Sequence, residues 1–269
     1  MMKKIPIKNL LLLLLLFFAL VVGVAIYAHW VEPIWIEVTH HKLKAPVKSP
    51  LRIAHLTDLH IKKFGFREKR LLKLLKQESP DAILISGDSI SNTGDYHAVG
   101  IFLKELVAPR GVWLVRGNWE HWRSDRDELQ IYANAGIQFL NNSNRQISEN
   151  IWIIGLDDNS AGSPDLAAAN SGVPKGAYKI GLFHSPDYFS EHAEAFDLAL
   201  AGHTHGGQIR LPFFPPLWLP RGSGPYVKGW YTAQNSDSKM YVSRGIGNSI
   251  LELRFFCRPE LPIVTITPE

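Results

Sequence analysis

Five short apolar runs in this 269-residue chain each end on side chains that bind metals or move protons. Residues 53–57 lead into Asp58-Leu59-His60, residues 82–86 into Gly87-Asp88, and residues 112–116 into Gly117-Asn118. Residues 180–183 lead into His184, and residues 198–201 into Gly202-His203-Thr204-His205-Gly206-Gly207. Together they offer two Asp, one Asn and four His, with no thiolate. That mixture of oxygen and imidazole donors suits Mn, Fe, Zn or a similar divalent ion rather than a structural sulfur site. Seven ligands exceed the need of one tetrahedral ion. They suit two ions about 3.5–4 Å apart that share a carboxylate. Such a pair lowers the pKa of a bridging water, orients a phosphoryl oxygen and stabilises charge on the attacking and leaving oxygens. Singly, each fragment has a plainer reading: Gly-Asp marks a turn, and a lone His184 fills a core. Two histidines among three glycines pack no core, so residues 202–207 carry the strongest signal.

Positioning these groups requires strands whose carboxyl ends meet on one rim, as they do in an open α/β sheet. The pattern predicts strands at 51–57, 81–86, 111–115, 151–156, 178–183, 198–201, 208–211, 240–243 and 263–267. Helices are expected at 67–79, stopped by Pro80, at 96–107, and at 125–135, ended by Gly136. The first half has a βαβ rhythm and the second is richer in strands, so a layered α/β sandwich built on two sheets fits better than a barrel.

The formal charge is +4, and six lysines against two glutamates before residue 49 account for all of it. A formally neutral body argues against a polyanion-binding surface, and no nucleic-acid partner is expected. The single Cys257 allows neither an internal disulfide nor a cysteine-based zinc site. Leu10 to Ala28 carries no charge and opens with seven leucines; Tyr27, Trp30 and Trp35 follow as an interfacial belt would. A signal anchor is the first reading and a cleaved signal peptide the second, with Gly23-Val24-Ala25 as the cleavage-like site. Lys3, Lys4 and Lys8 lean towards a cytoplasmic N-terminus and an exported body.

The five blocks, in their order, resemble the calcineurin-like metallophosphoesterase superfamily over about residues 50–269. The likeness is closest to its membrane-associated bacterial phosphodiesterase branch, through the apolar N-terminal segment, the extension to Gln208, and Ser243-Arg244-Gly245-Ile246-Gly247. The resemblance implies a four-layer α/β-β/α sandwich behind an N-terminal transmembrane helix. The chain would divide into a short basic N-terminus (1–9), a signal anchor (10–28), a juxtamembrane connector (29–50) and the metallophosphoesterase domain (51–269). By the same resemblance, Asp58, His60 and His205 hold one divalent ion, Asn118, His184 and His203 hold the other, and Asp88 bridges them. The implied activity is hydrolysis of a phosphodiester or lipid-linked phosphate by a metal-bridging hydroxide. The alternatives are a pyrophosphatase of a nucleotide-linked lipid precursor of the UDP-diacylglucosamine type, and a non-catalytic metal-binding membrane protein.

Two departures from the family pattern stand out. Trp119 occupies the place of the family's Gly-Asn-His histidine, and an indole neither accepts nor delivers a catalytic proton. His121, two residues on, is the candidate to reach back as general acid, help worth roughly 10²–10⁴-fold; an exposed or supporting histidine is the plainer reading. Ser91 stands where many members carry an acid, outside the seven ligands. Arg116 and Arg123 flank the altered block as possible phosphate partners, and Asp157-Asp158 end a further apolar run. Two aromatic loops, 62–66 and 211–220, should border the rim and either pack locally or meet lipid, which makes a membrane-borne phosphoester the candidate substrate.

Overall fold

Runs rich in Ile, Leu, Val and Ala, bounded by Gly, Pro and Asp, settle into strands, and leucine-patterned charged stretches settle into helices. The computed structural model describes residues 6–123 and 127–269. Lys3, Lys4 and the expected helix start at Asp125 lie outside those residues. The first half runs α1 (Ile7–Ile26), β1 (Glu37–Ala45), β2 (Leu51–Leu56), α2 (Phe66–Glu78), β3 (Ala82–Ser86), α3 (Tyr96–Lys104), β4 (Val112–Val115), α4 (Asn118–Trp122), α5 (Glu128–Asn134) and β5 (Gln138–Phe139). The second runs β6 (Ser143–Ser148), β7 (Ile151–Gly155), α6 (Leu166–Asn170), β8 (Tyr178–Leu182), α7 (Tyr188–His192), β9 (Leu198–Ala201), β10 (Gly229–Thr232), β11 (Lys239–Val242) and β12 (Glu260–Pro268).

Among the described residues these strands form two six-stranded mixed sheets, ordered β1-β12-β2-β3-β4-β5 and β10-β11-β9-β8-β7-β6. In the first, β2 through β5 run parallel and β12 lies antiparallel to β2. In the second, β7, β8, β9 and β11 run parallel, flanked by antiparallel β6 and β10. Every residue of β3 and of β9 is buried, which is why both read as unbroken apolar runs rather than alternating ones. Three apolar clusters fill the layers. Leu51, Ile53, Trp113, Ile180, Leu198 and Val264 belong to one built from strands of both sheets. Leu71 and Leu75 of α2, Phe102 of α3 and Tyr132 of α5 pack with residues of the first sheet. Ala169 of α6 and Phe189 of α7 pack with residues of the second.

The structure departs from the sequence expectation in several places, among them the short elements α4, β5, α6 and α7. The stretch expected as a connector contains β1, paired in parallel with β12 from Glu37↔Glu260 to Ala45↔Pro268. Its His- and Lys-rich alternation hides a partly buried edge strand. Residues 208–211 form no strand; Ile209 makes one isolated bridge to Phe255, because Gln208 is left-handed (φ 50°) and Pro212 follows at once. The edge strands β6 and β10, polar and half exposed, gave no apolar run to read.

α1 buries none of its 20 residues. It passes through one π-helical turn at Tyr27–Val31 and a short 3-10 turn, and the stretch Ile7–Ile34 is long and apolar enough to cross a membrane, as a signal or an anchor. Its foot is bound to the body. The Arg254 amide donates to the Ala28 carbonyl at 2.9 Å. The buried Glu32 carboxylate accepts the amides of Phe256, at 3.0 Å, and Cys257, while Tyr27 meets Phe255 edge-on.

Candidate metal centre

Both sheets deliver side chains to one rim. β2, β3 and β4 end just before Asp58, Asp88 and Asn118; β8 and β9 end just before His184 and His203. All seven expected ligands are buried, none more than 5% exposed.

His60, His205 and Asp58 converge. The Nε2 atoms of His60 and His205 face each other at 3.1 Å, and His205 Nε2 lies 3.2 Å from Asp58 Oδ1. His184 gathers the rest: its Nε2 is 3.1 Å from Asn118 Oδ1, 3.2 Å from Asp88 Oδ2 and 4.0 Å from Asp58 Oδ1. Asp88 Oδ2 also lies 3.5 Å from His60 Nε2, so this one oxygen touches a histidine of each group. Ligand atoms of Asp58, His60 and His205, and of Asp58, Asp88 and His184, lie within 4.8 Å of one another. His203 stands at the edge. Its ring meets His184 edge-on at 4.8 Å, its amide binds both Asp58 oxygens, and its Nε2 lies 2.7 Å from the Arg221 carbonyl.

The backbone pays for this convergence. Asp58, His60, Asp88, His203 and His205 all have φ between 43° and 70°, five of the eleven left-handed non-glycine residues described. Such strain persists only where surrounding structure imposes it, and it gathers at functional sites. Glycine is required at two contacts. A Cβ on Gly117 would sit 2.3 Å from Asp88 Oδ1 and 2.9 Å from His184 Cγ; one on Gly202 would sit 2.5 Å from Asp58 Oδ2. The Ser243–Gly247 segment passes directly over Asp58. The Gly247 amide donates to the Asp58 carbonyl at 2.6 Å, and a Cβ on Gly245 would lie 2.6 Å from Asp58 Cβ.

Glu120, which the sequence reading did not single out, ties the loops together. Its carboxylate accepts the amides of Gly117, Asp88 and Ser89 at 2.8, 2.9 and 2.6 Å. The signal was present as a Glu three residues after Gly117 at a helix start. Behind His184, Nδ1 donates to the Ser86 carbonyl at 2.7 Å, which orients the ring so that Nε2 faces inward.

The charges cannot all coexist in so dry a site. Burial pushes Asp88 up to about 6 and Glu120 up to about 7, the latter also repelled by Asp88. Burial opposes ionisation of Asp58 too, yet His205, His184 and His60 hold it well below the usual carboxylate range. Burial and His205 keep His60 well below the ordinary imidazole value, and burial with His184 pulls His203 down to about 4. Imidazole nitrogens that face each other beside two carboxylates are a donor set without its acceptor. His60 Nδ1 is buried with no hydrogen-bond partner. These residues fit divalent cations, whose charge would let both carboxylates ionise and both lone pairs point inward.

His121 does not join the cluster. Its Nε2 lies 2.6 Å from Asp157 Oδ1, and His121 is not among the residues lining the cavity beside the rim. Trp119 lines that cavity and meets His60 edge-on. The flanking arginines are engaged elsewhere: Arg116 binds Glu128 through two nitrogens, and Arg123 donates to the Gly94 carbonyl. Asp158 binds Ser160 and Ser185.

The sequence profile of the calcineurin-like phosphoesterase family matches residues 51–207. A metallophosphoesterase described as uncharacterised, YkuE of Bacillus subtilis (strain 168), is 32% identical over 255 residues, 89% of this chain and 88% of its own. Phosphodiesterase YaeI of Escherichia coli (strain K12) is 29% identical over 260 residues, 89% of this chain and 92% of its own. An uncharacterised metallophosphoesterase of Aquifex aeolicus (strain VF5) is 27% identical over 93% of this chain and 98% of its own.

Proposed function

Because the chain belongs to the calcineurin-like phosphoesterase family, a family of metal-dependent hydrolases, we propose that its buried Asp/His cluster holds two divalent ions and hydrolyses phosphodiesters. In this reading Asp58, His60 and His205 bind one ion, Asn118, His184 and His203 the other, and Asp88 is shared. The observation that carries it is the pair of Nε2 atoms of His60 and His205, 3.1 Å apart and flanked by Asp88 and Asp58. When bound, such ions supply an activated water and electrostatic stabilisation of the phosphoryl oxygens. The chain's own residues hold the geometry. Glu120 fixes the Asp88 and Asn118 loops through three amides. Ser86 fixes the His184 tautomer, and the Arg221 carbonyl accepts the Nε2 proton of His203 and so directs its lone pair to Nδ1.

The likeness to a protein named as a phosphodiesterase favours diesters over monoesters. Trp119 lines the cavity beside the cluster. It offers the leaving group an apolar wall and no proton, and His121 is spent on Asp157, so the reading assigns no general acid. It also places the chain in the membrane-associated branch, with α1 as a retained anchor and the two sheets and their helices as a four-layer sandwich.

The test is hydrolysis of a chromogenic phosphodiester by the full chain after chelation and reloading with Mn, with Asp88→Asn and His203→Ala as controls. Turnover that appears only with metal and is lost in both variants is the expected result. Two metals bound per chain with no turnover on any phosphoester would make it a binding protein instead.

A further inference from the structure

More than half of the exposed large apolar side chains described from β1 onward stand on three segments bonded to one another. Phe213, Phe214, Leu217 and Trp218 stand on the first, Ile250 and Leu251 on the second and Phe256 on the third; Phe213 is fully exposed. Gln208 stitches the first two together: its Nε2 donates to the carbonyls of Ser249 and Leu251, and its Oε1 accepts the Ser249 amide. The Arg210 amide donates to the Phe255 carbonyl, and the Phe255 amide to the Gln208 carbonyl, which brings in the third. That third segment is the one that grips the foot of α1. Phe213, Ile250 and Phe256 have φ of 68°, 57° and 51°, a region that bulky side chains avoid. Exposed apolar surface and backbone strain both cost free energy in water, and here they coincide.

The occupant of this face follows from α1. Its 20 residues span about 30 Å, the thickness of a hydrocarbon core. Ala28, two residues past its end, is already buried against the body. A bilayer crossed by α1 therefore meets the body at Phe255 and Phe256 with no linker between. The first two segments wall a cavity of about 630 Å³, with Leu217, Trp218, Ile250 and Leu251 alongside Trp119 and Trp122. That cavity reaches Asp88, Asn118, His203 and His205.

We propose that this face rests in the headgroup layer beside α1, and that the cavity takes lipid phosphodiesters from the bilayer, phosphate against the Asp/His cluster and hydrocarbon along the Trp, Leu and Ile wall. The proposal deepens the phosphodiesterase reading and rests on it and on α1 being retained.

The test uses the full chain in phosphatidylcholine–phosphatidylglycerol vesicles. Two substrates are compared, a fluorescent lipid phosphodiester in the bilayer and a water-soluble chromogenic one. Phe213→Ser with Phe214→Ser touches neither the cluster nor the cavity lining. It should leave the soluble substrate unchanged and slow the lipid substrate by roughly tenfold or more, since one aromatic ring withheld from hydrocarbon is worth about that factor. Equal effects on both substrates, or no effect on either, would overturn the proposal. A second measurement is independent of turnover. Phe213→Cys is labelled with an environment-sensitive dye, Cys257 being buried, and nitroxide lipids are added. Quenching supports the membrane-facing placement; a label that stays unquenched overturns it and leaves the face to a protein partner. Absence of turnover on both substrates with Mn would refute the phosphodiesterase reading, and the quenching result would then decide the placement of the face alone.

Discussion

The two sheets are equal in strand number and unequal in chemistry. The first ends in carboxylates and an amide, Asp58, Asp88 and Asn118, with His60 close behind; the second ends in imidazoles, His184, His203 and His205. One side thus supplies oxygen atoms and the formal negative charge, and the other supplies imidazole nitrogens. The sheets also make room for each other. Gly117, after β4, leaves space for His184 of the second sheet, and Gly202, after β9, leaves space for Asp58 of the first. Neither sheet holds a site alone, and an alteration on one side should read out differently from its counterpart on the other.

The largest effect should come from Asp88→Asn, which removes charge from the oxygen that touches histidines of both groups. Several kcal/mol of transition-state stabilisation correspond to a loss of about 10³-fold in turnover, and added Mn should not restore it. His184→Ala removes a neutral ligand. It should weaken metal binding by at least the roughly 10–100-fold that follows loss of a residue merely supporting a ligand, and turnover should partly recover at high Mn. Equal losses with equal recovery, measured by metal titration of phosphodiester hydrolysis, would break the comparison.

Next in size are Gly117→Ala and Gly202→Ala, each of which pushes a methyl group onto a carboxylate. Each should lower stability by about 1–3 kcal/mol in denaturant melts and lower metal affinity, with Gly202→Ala acting through Asp58 of the opposite sheet. A variant with full stability and full metal affinity would show that the sheets tolerate displacement.

The smallest effect should come from the His121–Asp157 pair. The hydrogen bond and charge of Asp157 raise His121 against some burial, so that contribution is present below the ordinary imidazole value of about 6.5 and fades as pH rises through the raised value. Burial opposes ionisation of Asp157, but His121 and the Ser163 amide hold it low; its contribution is lost as pH falls through that depressed value. His121→Asn should therefore flatten the pH dependence of melting between those limits by about 1 kcal/mol or less and change metal-supported turnover by less than about threefold. A collapse of turnover in this variant would restore His121 as a proton donor.

The convergence of Asp, Asn and His side chains was legible because each group follows a strand that is buried at all or all but one of its residues, and such strands write nearly unbroken apolar runs. α2 was equally readable, its Leu71 and Leu75 repeating one turn apart on the core side. β1 was not, since its partner lies at residues 260–268 and only that pairing makes a strand of Val38 to Lys44. Glu120 was hidden by type, for its role is three amides from two loops that only the fold brings together. The turn of the 208–220 loop away from the sheet depends on a left-handed Gln208, which composition does not announce.

The position of β12 sets a schedule. It lies between β1 and β2, in parallel with one and antiparallel to the other. The gap between two of the earliest strands to leave the ribosome must therefore stay open until one of the latest arrives. Closing so long a loop is entropically slow, and unpaired strand edges invite wrong partners meanwhile. The foot of α1 waits on the same event, because Glu32 and Ala28 are bound by residues 254–257, just before β12. Synthesis that stalls before residue 254 would leave a chain with an open sheet and an unseated helix, a form that quality-control proteases could tell from the finished one.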